Sequence, residues 1–439
     1  MSPDDEKRAR FNVFKVWLSV LLNSAAMMAA LPVVPLYVRE RFSIEDPAEW
    51  ALVSGLVYGA APFAAAFAGP VWGALGDRFG RKWNLVRAQV AIIVCFGVFP
   101  LASAVWQLVL LRFLQGLCAG YVAPAFSLAI APWPEEARSK LLSHLQIGMT
   151  IGLLLGPLMG AEVAVWLGRG RVFWLTSLFA LAALSMTLLV REDRSLLKNG
   201  AGGARKGRVL DGWKLLFGCR VLALFLLSIC VARFGISLVE PQLASFVREL
   251  GPIGWLGERG SLDRTVSLLF SVLAVGVLLF GTLWGRLGDR FGPVRVLGAS
   301  GIVLGSSLLV MSLAGNSEML LASRAVYAFA FAAFLPLSYA AISRLTPPDS
   351  ISAAFALNQS AIQLAFGFGF SLGGVLYGFL TVRMLLVFAG LLGICAFSAL
   401  PLIRAMHRRE GARLASWTRS ENGAPDRARQ VEGAEAGGR

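Results

Sequence analysis

The sequence predicts an all-α membrane protein with twelve transmembrane helices in two pseudo-symmetric six-helix bundles. Three observations predict it. The 439 residues are 56% hydrophobic and only 15% charged, whereas about a quarter of the residues of a soluble domain are charged. The apolar residues fall in about twelve runs of roughly 20 residues, each long enough to cross a ~30 Å hydrocarbon core as helix. One stretch also occurs twice: Gly73-Ala74-Leu75-Gly76-Asp77-Arg78-Phe79-Gly80-Arg81-Lys82 returns as Gly285-Arg286-Leu287-Gly288-Asp289-Arg290-Phe291-Gly292-Pro293, 212 residues later. The same shift carries Trp72 to Trp284, Arg112 to Arg324 and Pro124 to Pro336. Such self-similarity marks a duplicated unit. The number of apolar runs excludes a soluble protein with a large core.

The first six predicted spans are 14–38, 50–75, 84–103, 105–130, 141–167 and 171–190. Span 1, from Phe14 to Val38, is too long for the core of a signal peptide and lacks a small-residue cleavage site, so it stays as helix. Span 2 ends in the Gly-Asp-Arg turn that opens span 3. Span 4 carries Arg112, and span 5 carries glycines at four-residue spacing. Span 6 ends at a polar stretch containing Asn199-Gly200-Ala201-Gly202-Gly203, a linker over 191–218. The second six spans are 219–247, 265–287, 294–314, 317–343, 351–379 and 382–403. Span 7 matches span 1 through Pro241-Gln242…Val247-Arg248-Glu249 and Pro32-Val33…Val38-Arg39-Glu40, a shift of 209. Span 8 ends in the second Gly-Asp-Arg turn, span 10 carries Arg324, and span 11 carries Gly367, Gly369, Gly373 and Gly374. The domains are thus a cytoplasmic tail (1–13), an N-terminal bundle (14–190), the cytoplasmic linker (191–218), a C-terminal bundle (219–403) and a tail (404–439). That last tail is rich in Gly, Ala and charge, a composition of disorder.

The net charge of +15 suggests nucleic acid, but its distribution argues otherwise. With the N-terminus cytoplasmic, 30 of the 41 Lys and Arg fall on the cytoplasmic side, 8 outside and 3 within spans (Arg112, Arg233 and Arg324). This is the positive-inside bias of a multi-pass protein of the cell membrane with both termini cytoplasmic, its excess charge facing anionic lipid heads. Cys95, Cys118, Cys219, Cys230 and Cys395 lie in or beside apolar runs without metal-ligand spacing and read as packing residues. His144 and His407 are too few for a metal centre. No Gly-x-x-x-x-Gly-Lys-Ser/Thr loop occurs, so ATP is not the energy source. Neither metal nor cofactor nor enzyme chemistry is expected.

Three motifs in order carry a family resemblance. The first is the loop after span 2, with Gly73, Asp77, Arg78, Gly80 and Arg81, repeated with Asp289 and Arg290. Its glycines permit a tight turn, and an aspartate there suits the positive end of another helix. The second is Arg112-Phe113-Leu114-Gln115-Gly116. The third is Gly148…Gly152-Leu153-Leu154-Leu155-Gly156-Pro157-Leu158-Met159-Gly160 in span 5, where glycines allow close packing and Pro157 removes a backbone hydrogen bond. Over roughly residues 14–403 the chain resembles the major facilitator superfamily, in particular its twelve-helix drug:proton antiporter branch and the MdtG-type multidrug exporters within it. That resemblance implies alternating access by two rocking bundles, with small-molecule substrate and protons as partners in a lipid bilayer, functioning as a monomer. It implies that Asp77 meets the start of helix 11 near Pro348-Asp349-Ser350, that Asp289 meets the start of helix 5 near Pro134, and that both latch the outward-open state. It gives Arg112 a part in proton transfer and makes Gly152, Gly156, Pro157 and Gly160 a seal against leakage. The plain alternatives are a charged loop, an arginine bonded to backbone, and ordinary glycine packing. Where an alignment of span 11 on span 5 expects proline, Phe370 stands.

Ionisable groups within apolar spans are expensive, so each is a candidate for function. Arg233 lies roughly 20 Å into span 7 at 1.5 Å per residue, and Glu240 follows seven residues later on the same face. That column either exchanges a proton or neutralises itself. Glu162, near the external end of span 5, ranks below Glu240, and His144 is interfacial. Many drug antiporters carry an acid in helix 1, but here Asn23 stands in span 1 and cannot carry a proton. The coupling candidates are therefore Glu240, Arg112, Glu162 and Arg233. The resemblance makes helices 1, 4, 7 and 10 the cavity lining. Candidates for the wall are Asn23, Met27, Tyr58, Tyr121, Phe234, Gln242, Tyr339, Asn358, Gln359 and Gln363, an adaptable mixture for amphiphiles. The function so implied is secondary active export of drug-like amphiphiles in exchange for protons. The alternative is a carrier of a metabolite, sugar or organic acid, as exporter or symporter, which the missing acid of span 1 favours.

Overall fold

The computed structural model describes residues 3–192, 220–258, 260–346 and 351–400. All secondary structure among them is helical. We number twelve helices: α1 (Pro3–Ala30, continued by Val34–Arg41), α2 (Pro47–Phe79), α3 (Arg81–Val98), α4 (Val105–Leu117 and Val122–Ile130), α5 (Glu135–Leu167) and α6 (Arg169–Leu188). The second set is α7 (Arg220–Val239 and Leu243–Leu250), α8 (Ser261–Phe291), α9 (Pro293–Ser312), α10 (Ser317–Phe331 and Phe334–Leu345), α11 (Ile351–Tyr377) and α12 (Val382–Ser398). Eleven are long and apolar enough to cross a bilayer, and α12 is a shorter apolar helix. The predicted linker from 193 on and the tail from 404 on lie outside the described residues. Helix α1 starts at Pro3, so the stretch read as an N-terminal tail is largely the first turns of α1.

The breaks follow from proline. In α1 and α7 a 3-10 turn interrupts the helix at Leu31–Val33 and at Glu240–Gln242, and Pro32 and Pro241 are the middle residues of these turns. In α4 and α10 the breaks precede Pro124 and Pro336 by four residues. A proline there cannot donate to the carbonyl of residue 120 or 332, where each helix is interrupted. Helix α5 contains Pro157 yet runs through it without a break.

Within the first half, α1 packs on α5 and α6, α2 on α4, and α3 on α6; within the second, α7 packs on α11 and α12, and α9 on α12. The halves meet along two seams, α2 with α11 and α5 with α8. The core is asymmetric across the membrane. On the face bearing Gly168 and Gly260, one apolar cluster joins both halves, from Tyr37, Phe99 and Phe173 to Phe246, Leu269 and Leu385. On the opposite face, bearing Gly80 and Gly292, the core divides in two. Val16, Leu85 and Leu128 belong to one cluster, and Phe225, Leu297 and Phe397 to another.

Candidate substrate and coupling site

The shared face is closed by ion pairs that cross between the halves. Arg169, at the start of α6, donates through Nε and Nη2 to both carboxylate oxygens of Asp263 at the start of α8, each at 2.9 Å, and also pairs with Glu40. Arg264 reciprocates from α8, donating to both oxygens of Glu162 in α5 at 2.7 and 2.8 Å. Gln242 Nε2 donates across the seam to the Ala51 carbonyl at 3.4 Å. Ser271 Oγ donates to Leu154 O at 3.0 Å, and Tyr58 meets Phe370 edge-on at 5.5 Å. Backbones approach closely along the α2–α11 seam: a Cβ on Gly367 would lie 2.8 Å from Phe63 Cα, and one on Gly374 2.9 Å from Leu52 Cα. Toward the divided face, a Cβ on Gly69, Gly281 or Gly285 would meet nothing within 4 Å.

Beneath this seal lie the charges of the interior. Arg112 donates to Val57 O at 3.3 Å through Nε and to Gln115 Oε1 at 2.6 Å through Nη1. Arg324, only 2% exposed, donates to Leu269 O at 3.4 Å through Nε. Its Nη2 is 3.6 Å from Glu240 Oε1. The partner of Glu240 is therefore Arg324 of α10, not Arg233 of its own helix. Glu240 sits in the 3-10 turn before Pro241, and Arg233, seven residues before it, lies within electrostatic reach of that carboxylate but makes no direct ion pair with it. Arg233 instead lies over the ring of Phe334 at 3.7 Å and near those of Phe331 and Phe366 at 4.9 and 5.5 Å. Glu162 is half exposed at the rim, held by Arg264 and Trp166, and no contact joins it to Glu240 among the described residues. His144 is exposed.

The remaining candidates divide by depth. Tyr58 and Gln242 are buried in the seal between halves, not in an open wall, and the Tyr58 hydroxyl donates to the Leu31 carbonyl. Asn23 donates to Ser19 O at 2.9 Å, and its buried Oδ1 has no partner, like Asn358 Oδ1. Tyr121 shares a 3.0 Å hydrogen bond with Ser24, Met27 accepts from Gln115 at 3.4 Å, and Tyr339 packs edge-on against Phe355. Phe234 and Gln363 are half-buried, and Gln359 is exposed.

The glycines of α5 pack on α1: Gly148 on Trp17, Gly152 on Leu21 and Ser24, Gly156 on Ala25 and Gly160 on Ala29. At the Gly80 turn, φ is +106°, a conformation glycine adopts without strain. Glu192, beyond the end of α6, accepts from the amides of Arg81 and Lys82 at 2.9 and 3.2 Å. A carboxylate at a helix N-terminus is favourable, and it satisfies two amides that have no intrahelical partner. Arg81 Nη1 donates to Ser127 O at 3.1 Å, and Lys82 Nζ to Leu188 and Val190 carbonyls. Glu192 was not among the candidates, since a lone acid after a span carries no periodic signal. Nor were Arg169 and Asp263, which read as loop charges. The side chains of Asp77 and Arg78, and residues 347–350, lie outside the described residues, so the expected contact of Asp77 with the start of α11 does too. Asp289 and Arg290 are exposed on the divided face, with no ion pair to either among the described residues.

Two helical halves, joined at one membrane face and apart at the other around buried charges, define a membrane transporter. The particular family follows from comparison. The profile of the Major Facilitator Superfamily matches residues 16–252 and 225–428, and the chain belongs to that superfamily. It is 30% identical over 367 residues to "Multidrug resistance protein MdtG" of Escherichia fergusonii, covering 82% of this chain and 87% of that one. It is 26% identical over 379 residues to "Multi-drug resistance efflux pump PmrA homolog" of Lactococcus lactis, covering 86% and 90%. The crystal structure of the nucleoside transporter NupG superposes with a TM-score of 0.70 at 13% identity over 89% of this chain and 98% of that one, a likeness of fold.

Proposed function

We propose that the chain exports amphiphilic small molecules across the cell membrane in exchange for protons, as a monomer with both termini cytoplasmic. The charge asymmetry of the loops puts the Gly80 face in the cytoplasm, so the divided core opens toward the side from which an exporter loads. The names of the relatives, multidrug resistance protein and efflux pump, support a drug-like cargo. One observation carries the coupling assignment: among the described residues, Glu240 is the one carboxylate placed against the buried arginines, 3.6 Å from Arg324. A proton on Glu240 discharges that pair and frees the guanidinium, which links protonation to the packing of α7 on α10. Arg112 and Arg233 tune the field of the site. The loop residues Gly73, Asp77, Arg78, Gly80, Arg81, Asp289 and Arg290 latch the opposite state, in which the Gly80 face closes. The seam of α5 on α1, with Gly152, Gly156, Pro157 and Gly160, keeps the first half leak-tight as it rocks.

The test uses purified protein in liposomes with an imposed pH gradient. Adding a lipophilic dye collapses part of the gradient if dye and proton exchange. Glu240→Gln abolishes uphill movement while dye binding persists, and full activity in that variant excludes Glu240. Asn23 leaves α1 without an acid, which keeps the metabolite-carrier reading in view. No dye response together with robust sugar or organic-acid flux establishes that reading instead.

A further inference from the structure

We infer that the interior of this transporter receives an anionic head group, a carboxylate or sulfonate on an apolar body, with Arg233 as its principal donor. This inference rests on the transport reading above and narrows its cargo. Three guanidiniums lie buried in the interior, Arg112 in the first half and Arg233 and Arg324 in the second, at 5%, 6% and 2% exposure. A guanidinium stays charged in any protein environment. Glu240 is the one acid among the described residues that faces any of them, so the interior holds three positive groups and one negative. A cation within a membrane is costly; the aromatic rings around Arg233 offset part of that cost, and a bound anion offsets more.

The arginines are not equivalent. Arg112 is held by Gln115 and Val57, and Arg324 by Leu269 and Glu240. Arg233 has no hydrogen bond among the described residues, and its Nε is buried without a partner. Nη2 of Arg324 likewise lacks a hydrogen bond. Nε of Arg233 is thus a strong donor left unused inside the bilayer, where leaving a donor unmet is expensive, while Nη2 of Arg324 has only the 3.6 Å ion pair with Glu240. The rings of Phe331, Phe334 and Phe366 surround the Arg233 guanidinium at 3.7–5.5 Å. They supply apolar surface beside the charge, which suits an amphiphile whose body follows its head. An amine would add a fourth positive charge to this interior. The direction of transport agrees, because a membrane potential negative inside drives an anion outward.

The experiment titrates full-length purified protein with three probes that share one dansylated alkyl body: dansylaminoundecanoate, its carboxamide, and the corresponding primary amine. Dansyl fluorescence reads binding. The expected order is carboxylate tightest, by about ten-fold over the carboxamide, with the amine weakest, as charge-assisted hydrogen bonds require. Arg233→Gln should cut carboxylate affinity by about ten-fold and leave the carboxamide within about two-fold. The retained carboxamide binding also shows that the variant is folded. Amine binding equal to or tighter than carboxylate binding in the wild type overturns the inference without any variant. Unchanged carboxylate affinity in Arg233→Gln overturns it as well, whatever Arg324→Gln does. If the amine is bound and exchanged for protons in liposomes while the carboxylate is not, the exporter reading stands and the anionic head falls. If none of the three probes binds, the amphiphile reading falls with it.

Discussion

Trp72 and Trp284 carry the duplication down to single atoms. Each indole N–H donates to a carbonyl 45 residues on, Leu117 at 2.5 Å and Phe329 at 2.7 Å. Arg112 and Arg324 repeat the pattern, each Nε donating to a carbonyl 55 residues back, Val57 or Leu269. The Nε bond is therefore a shared structural role that fastens α4 to α2 and α10 to α8. Difference begins at the outer nitrogens, where Arg112 has Gln115 and Arg324 has Glu240. Trp284→Phe deletes the more buried indole bond and should cost about 1 kcal/mol, more than Trp72→Phe, whose bond is exposed. Thermal melting in detergent reads the difference, and equal shifts would contradict it. Rare charges in apolar spans are legible in sequence because each stands out against its surroundings. Their partners are not, since Arg324 and Glu240 meet only once α7 breaks at Pro241.

At the scale of elements, close approach and open space make opposite demands on glycine. A Cβ on Gly156 would lie 2.5 Å from Ala25 O and 2.9 Å from Met28 Cβ. Helices α1 and α5 must then separate, so Gly156→Ala should destabilise the first half by roughly 2 kcal/mol or more, the scale of overpacking. Gly285→Ala meets nothing within 4 Å in α8 and should gain up to about 1 kcal/mol from helix propensity. Melting temperatures of the two variants should move in opposite directions, and a shift of the same sign refutes this account of the α1–α5 seam. The spans were predictable because apolar runs of membrane length have few other uses. Their ends were less so: α1 extends back to Pro3 and α2 on to Phe79, since a helix continues past its apolar run wherever caps and side-chain pairs sustain it. The glycine spacing in α5 reveals a packing face in sequence, but only the fold shows that the face meets α1 and not the other half.

At the scale of the whole molecule, the shared core on one face and the divided core on the other describe one state of a two-state carrier. Which state a transporter occupies is not written in hydropathy, because both states bury the same runs in lipid. What selects this state is the set of contacts present only here, and the ion pairs of the Gly168 face are the polar part of that set. Arg169 is bidentate to Asp263, itself 5% exposed, and losing one partner there should cost roughly 2 kcal/mol, between the values for exposed and buried pairs. That is roughly a thirty-fold change in the ratio of the two states. Asp263→Asn should therefore shift the protein toward the form open at this face. Glu162 and Arg264 offer a cleaner control: Glu162→Arg alone places like charges together and should open the face, and adding Arg264→Glu should restore closure. Spin labels at exposed positions 45 and 258, in a background with the five cysteines replaced by serine, report the distance across this rim. Each single substitution should populate a longer distance, and the charge-swapped pair should return the shorter one. A swapped pair that stays open, or singles that leave the distance unchanged, would mean that apolar packing of the shared core holds the state without the ion pairs.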